Sequence, residues 1–280
     1  MGKFPIRDKT KISSITFIPQ EKFQCGPASL GMMLSHLGEK RDEKIISSMV
    51  FTPDKKGSFQ SDIISAVRRE KLLPLPIKNF KNLLLELNEG NPVLILQNLG
   101  LKWIPRWHYV VVVGYDLKKS QMVLHSGTKP YTRMGFFTFN KIWDRSDNWG
   151  LLVVRPGTVP LSTNEAELVS AVAHLETLSF FKEAKAGYES VLKKFPGSLV
   201  ALIGLGNIFF HQKQFPQSAE SLKVATTLHP QSAEAWHNLA LALEANNQIT
   251  EARKAARAAI DLCPEASLPL YEENLKSILN

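Results

Sequence analysis

Cys25 stands in the run Gln20-Glu21-Lys22-Phe23-Gln24-Cys25-Gly26-Pro27-Ala28-Ser29-Leu30, directly before an apolar-periodic segment that reads as a helix. Pro27 falls in the first turn of that helix, where its missing N–H costs nothing. A cysteine so placed faces unpaired backbone N–H groups and the positive end of the helix dipole, and both favour the nucleophilic thiolate. Gln20, on the preceding loop, can fold back so that its amide and a backbone N–H near Cys25 meet at one point. Such a pair is an oxyanion hole for a tetrahedral intermediate. The nucleophile needs a base, and His108 is the candidate. It opens the run Tyr109-Val110-Val111-Val112-Val113-Gly114, which puts its ring at a sheet edge where a helix start can meet it. A third group normally orients such an imidazole, and for a strand-borne histidine it usually comes from the next strand.

The elements that must position these residues are legible from Ile12 to Pro156. Ile15-Thr16-Phe17-Ile18 reads as a short strand, and Cys25 to Leu37 as a helix stopped by Gly38. Two more amphipathic helices follow, at Ser61 to Lys71 and at Phe80 to Asn88. The period then changes. Pro92 to Gln97, Trp107 to Gly114, Met122 to His125 and Trp149 to Val154 are continuous apolar runs, the pattern of central strands buried on both faces. Helices first and sheet afterwards is an α+β order with an antiparallel-leaning sheet.

Beyond Pro156-Gly157-Thr158-Val159-Pro160, which reads as a linker, strand signals vanish. Pro196, Pro230 and Pro264 recur at one fixed interval. Aligning on them stacks Leu168, Leu202 and Trp236, then Leu175, Phe209 and Leu243, then Ala184, Ser218 and Ala252. The order of bulky, small and proline positions resembles the tetratricopeptide repeat, with Ser218 where alanine is usual. Three units cover about 165–266, and 267–280 reads as the amphipathic closing helix of such an array.

The first segment resembles the bacteriocin-processing, double-glycine type of papain-like cysteine peptidase and its broader bacterial relatives. The resemblance rests on Gln20, on Cys25 to Leu30, on the loop and helix from Gly57-Ser58 to Val67, on Gly90 to Leu94, and on His108 to Asp116. It implies Cys25 as nucleophile, His108 as base and Gln20 in the oxyanion hole. At the orienting position the family usually has aspartate, in a turn that here reads Leu124-His125-Ser126-Gly127. Ser126 can hydrogen-bond His108 but carries no charge, so it would stabilise imidazolium less. His125, Asp144 and Asp147 are alternative orienters.

Composition narrows the remaining classes. Lys and Arg exceed Asp and Glu by 24 to 13 in residues 1–158, a net of +11, and fall short by 10 to 13 in the remainder, a net of −3. The basic residues are scattered in short pairs without interleaved aromatics, which argues against nucleic acid as a partner. No apolar stretch has the length of a membrane span. The N-terminus shows no signal peptide, so the chain reads as cytoplasmic as it stands, or as periplasmic or lipid-anchored if a leader has been removed. No His, Cys, Asp and Glu grouping has metal-ligand spacing, and no cofactor is implied. Cys263 reads as a small buried hydrophobe, and His174, His211, His229 and His237 as surface or packing residues. Trp103 and Trp107 suit a substrate groove or the underside of the sheet equally.

The expected architecture is thus an α+β papain-like cysteine peptidase domain over 1–158, followed by an all-α tetratricopeptide-repeat solenoid over 159–280. The expected function is peptide-bond hydrolysis through Cys25 and His108, with the repeats recruiting a protein partner or the substrate. Two other readings stand beside it. One is a weak or inactive peptidase-like module that binds a peptide and acts as a scaffold. The other is acyl transfer or deamidation on the same pair.

Overall fold

The structure, a computed structural model, describes residues 6–279. The chain separates into two compact units, Met1–Glu167 and Leu168–Asn280.

In the first unit the elements run β1 (Lys9–Lys11), α1 (Cys25–His36), α2 (Glu43–Val50), α3 (Gln60–Arg69), β2 (Leu73–Pro76), α4 (Phe80–Asn88), β3 (Val93–Asn98), β4 (Trp107–Asp116), β5 (Gln121–Ser126), β6 (Lys129–Gly135), α5 (Phe136–Asp144) and β7 (Gly150–Val154). The strands form one antiparallel sheet in the order β2-β7-β3-β4-β5-β6, with β1 beside the far end of β4. β3, β7 and the valine run of β4 are buried throughout, as central strands covered on both faces must be. Helix α1 buries Leu30, Met32, Met33 and Leu34 completely or nearly so. At about 1.5–3 kcal/mol for each such side chain, that burial anchors the helix whose first residue is Cys25.

Ile15 to Ile18 is not a strand. Lys9–Lys11 takes the pairing instead, while the later segment buries Ile15 and sets Phe17 edge-on to the His125 ring without joining the ladder. Three elements left no clear sequence signal. Helix α2 is short. β2 carries Pro74 and Pro76, which a central strand would exclude, yet β2 is the sheet's edge and needs N–H donors on one side only. β6 is mostly exposed and so lacks an apolar run.

In the second unit the helices pair as α6 (Glu165–Thr177) with α7 (Phe181–Lys194), α8 (Leu199–His211) with α9 (Phe215–Leu228), and α10 (Ala233–Ala245) with α11 (Ile249–Leu262). Pro196, Pro230 and Pro264 each follow the second helix of a pair, where a helix cannot continue. Helix α12 (Leu268–Leu279) closes the array by burying Leu275 and Ile278 against Leu239, Leu243, Ala252 and Ala256. Close packing within and between pairs depends on small residues. A Cβ on Gly204 would lie 2.3 Å from the Tyr188 ring, and one on Gly206 2.6 Å from Leu222. The segment before α6 behaves as part of the first unit: Ser162 N–H donates to Glu86 Oε1 at 2.7 Å, and Asn82 Nδ2 donates to the Ser162 carbonyl at 3.3 Å.

Candidate active site

Cys25 is the first residue of α1 and is half-buried. Its sulfur faces the backbone N–H groups of Tyr109, of Gly26 and of Cys25 itself. Gly26 permits the approach of the next loop, since a Cβ there would fall 2.3 Å from Ser58 Oγ. Burial raises the thiol pKa above its ordinary value, and the three N–H groups offset only part of that rise. This corrects the expectation of a ready thiolate: the helix start is present, but desolvation outweighs it.

His108 lies one residue before Tyr109 on β4, whose N–H points at the sulfur. Its Nε2 is 2.9 Å from Ser126 Oγ at the end of β5. The bond to Nε2 leaves Nδ1 as the nitrogen open to a reacting group. Burial, and then the charge of Arg106, lower the His108 pKa below its ordinary value, so the ring rests neutral. Among the described residues no hydrogen bond joins the sulfur to the ring.

Gln20 is buried, and its amide is fully engaged. Nε2 donates to Ser29 Oγ and to the Tyr109 carbonyl, both at 3.0 Å, while Oε1 accepts from Gly127 N–H at 2.8 Å. The Gln20 N–H also donates to the Gly127 carbonyl at 2.9 Å. Neither amide proton therefore faces the sulfur as an oxyanion donor. The geometry has a strand-level cause. The β4–β5 register reaches only Val111, so at Tyr109 the N–H and C=O, which point to one side of the strand, have no β5 partner. The sulfur takes the first and Gln20 the second. Gln20 thus ties together helix α1, strand β4 and the turn after Ser126.

None of the other candidate orienters hydrogen-bonds the His108 ring among the described residues. His125 is fully buried on the opposite side of β5 from Ser126, edge-on to Tyr131 and Phe17, with both ring nitrogens unpartnered among the described residues. Burial, and then the charge of Lys11, lower its pKa to about 4. Asp144 and Asp147 are exposed. Gln97 went unnoticed in the sequence. It is buried, pairs across the sheet with His108, and its Nε2 has no partner among the described residues. Its signal was available as the polar residue that directly ends the apolar run Val93-Leu94-Ile95-Leu96 within the same strand.

A cleft of about 470 Å³ is lined by Ser58, Phe59, Leu96, Trp107, Tyr109 and Asp147, and of these Ser58 and Tyr109 also lie against Gly26, the residue after Cys25. Trp107 therefore belongs to a groove wall, whereas Trp103 is exposed at the β3–β4 turn and packs under nothing. In the second unit a smaller cavity, of about 130 Å³, is lined in part by Asn207, His211, Asn238 and Leu241. Cys263 is half-exposed at the end of α11 and not buried as expected.

An antiparallel sheet carrying His108, packed by a helix that Cys25 opens, followed by stacked helical hairpins, has the fold of a papain-like cysteine peptidase joined to a repeat solenoid. Residues 12–149 match the Peptidase_C39 like family, and residues 174–233 and 214–267 match the tetratricopeptide repeat. The chain thus joins a segment similar to the C39-like peptidase family to a segment of tetratricopeptide repeats. Among solved structures, one described as a C39-like peptidase from Bacillus anthracis is 18% identical, with a TM-score of 0.44, covering 52% of this chain and 98% of that one. The Sgt2 tetratricopeptide-repeat domain from Aspergillus fumigatus is 19% identical, with a TM-score of 0.37, covering 41% and 76%. The Yersinia enterocolitica type III secretion translocator chaperone SycD is 14% identical, with a TM-score of 0.38, covering 40% and 81%. No curated protein matches the chain.

Proposed function

We propose that the first unit is a cysteine peptidase in which His108 acts as a general base toward Cys25, and that the repeats recruit a protein partner or the substrate. The observation that carries this reading is the His108 Nε2 to Ser126 Oγ contact, which holds the ring and leaves Nδ1 free, one residue before the Tyr109 N–H that faces the sulfur. Burial favours the neutral form of both groups, so the proton moves during attack rather than before it. Nδ1 takes the thiol proton as sulfur bonds to the substrate carbonyl. The ring then returns that proton to the leaving amine as the C–N bond breaks, and water hydrolyses the thioester. The backbone N–H groups at the start of α1 supply positive dipoles for the oxyanion. Gln20 holds the helix, the strand and the Ser126 turn in register, acting as a positioning residue. The cleft lined by Ser58, Trp107 and Tyr109 receives substrate side chains.

Mixing the protein with a thiol-directed peptidase probe, beside Cys25→Ala, tests the reading. Covalent capture that Cys25→Ala abolishes supports it. Absence of both capture and turnover, with tight peptide binding retained, favours the scaffold reading, for which the uncharged Ser126 is the specific observation.

A further inference from the structure

The turn between β3 and β4 carries a concentration of exposed apolar surface that neither catalysis nor packing uses. Within Leu99 to Arg106, Leu99 is 41% exposed, Leu101 46%, Trp103 76% and Ile104 68%. Single exposed hydrophobes are ordinary, but a contiguous cluster marks an interaction surface. The turn is rigid. Asn98 Oδ1 accepts from the N–H groups of Gly100 and Arg106, each at 2.9 Å, Leu101 and Ile104 exchange backbone hydrogen bonds at 3.1 and 3.2 Å, and Arg145 Nη1 donates to the Gly100 carbonyl at 2.7 Å. These bonds close the turn on itself while the side chains of Trp103 and Ile104 remain exposed.

We propose that this turn docks on an anionic lipid surface, with Trp103 and Ile104 entering the headgroup and acyl boundary. Lys102 and Arg106 lie within the apolar cluster, and no acidic residue occurs between Glu89 and Asp116. Lysine is depleted from the cores of protein–protein interfaces, whereas a cation beside tryptophan suits a lipid interface, where the stem lies in apolar surroundings and the charge reaches the phosphates. The unit that bears the turn has the positive excess already noted, which complements an anionic surface over a longer range. Trp107 and His108 directly follow the turn, so docking would set the cleft close to the lipid and favour substrates held there.

Co-sedimentation of the full chain with phosphatidylcholine vesicles, with and without phosphatidylglycerol, tests this. The protein is expected to pellet with the anionic vesicles and to be released by salt. Trp103→Ser with Ile104→Ser should weaken binding by tenfold or more, and Lys102→Glu by roughly fivefold for the lost attraction alone. Cys25→Ala should bind as well as the parent, which separates this inference from the peptidase reading. A chain that stays in the supernatant with both vesicle types overturns the proposal. So does a doubly substituted turn that binds undiminished while circular dichroism shows it folded, or turn-dependent binding to a protein with no binding to vesicles.

Discussion

His108 Nε2 and Ser126 Oγ lie 2.9 Å apart, so the imidazole is held by a neutral hydroxyl where a carboxylate would usually be expected. Removing that contact with Ser126→Ala should lower kcat/KM on a peptide ester by about tenfold, the equivalent of ~1.4 kcal/mol of transition-state stabilisation. Ser126→Asp should raise it, because a carboxylate there stabilises the imidazolium that forms during attack. Equal activity in all three proteins would show that Ser126 does not orient the ring.

The acid limb of kcat/KM should lie below the ordinary histidine value of 6.5, because His108 must be neutral to accept the thiol proton and its pKa is lowered. Arg106→Gln removes the second cause of that lowering, so the limb should move toward higher pH. A pH–rate profile of the two proteins decides this, and an unmoved limb would disconnect Arg106 from the base.

Alkylation offers a separate check on the thiol. Cys25 is raised by burial, so iodoacetamide should label it slowly at mildly acidic pH and faster as pH climbs past the ordinary thiol range. Peptide mapping should find half-exposed Cys263 no slower at neutral pH. Rapid selective labelling of Cys25 in acid would indicate a preformed ion pair and refute the general-base order.

Stability should depend on pH through His125. Its unfolded value is near 6.5 and its folded value about 4, so the unfolded chain binds the extra proton first. Stability is then greatest above 6.5, falls as pH drops toward 4, and levels below it, with about 3 kcal/mol at stake. His125→Phe, which keeps an aromatic ring between Phe17 and Tyr131, should flatten that dependence in urea titrations at pH 7 and pH 5.

The repeats should fold without the first unit. Ser162 belongs to the first unit through Glu86, whereas Asn164 Oδ1 accepts from Glu167 N–H at 2.9 Å and starts helix α6. A fragment 164–280 should therefore be helical and melt cooperatively, since each pair packs mainly on its neighbours. Gly204→Ala in that fragment, which forces a methyl into the Tyr188 ring, should destabilise it by about 1–3 kcal/mol.

What the sequence revealed followed from strong local patterns. The Cys25 helix, the valine run after His108 and the proline spacing of the repeats each reflect one dominant period, and each element stands within a few residues of its expected bounds. Elements whose stability comes from neighbours left weak traces. β2 is defined by its pairing with β7 despite two prolines, and Ile15 to Ile18 has strand-like residues but no free ladder to join. Within the site, the types of residue were readable and their hydrogen-bond assignments were not. That Gln20 spends both amide protons on Ser29 and Tyr109 depends on where the β5 ladder ends. The raised thiol likewise depends on burial by residues far away in sequence.

The two outer strands of the sheet also govern what the first unit can do with extended chains. β2 presents Pro74 and Pro76, and β6 presents Lys129, Pro130 and Arg133. Neither margin offers an uninterrupted row of amide donors to an incoming strand. At these two margins an unfolded polypeptide gains little register by annealing, and copies of the unit find a poor template for pairing edge to edge. A peptide that engages the domain would therefore find its contacts away from these two margins, and the cleft lined by Ser58, Trp107 and Tyr109 offers side-chain surface for them.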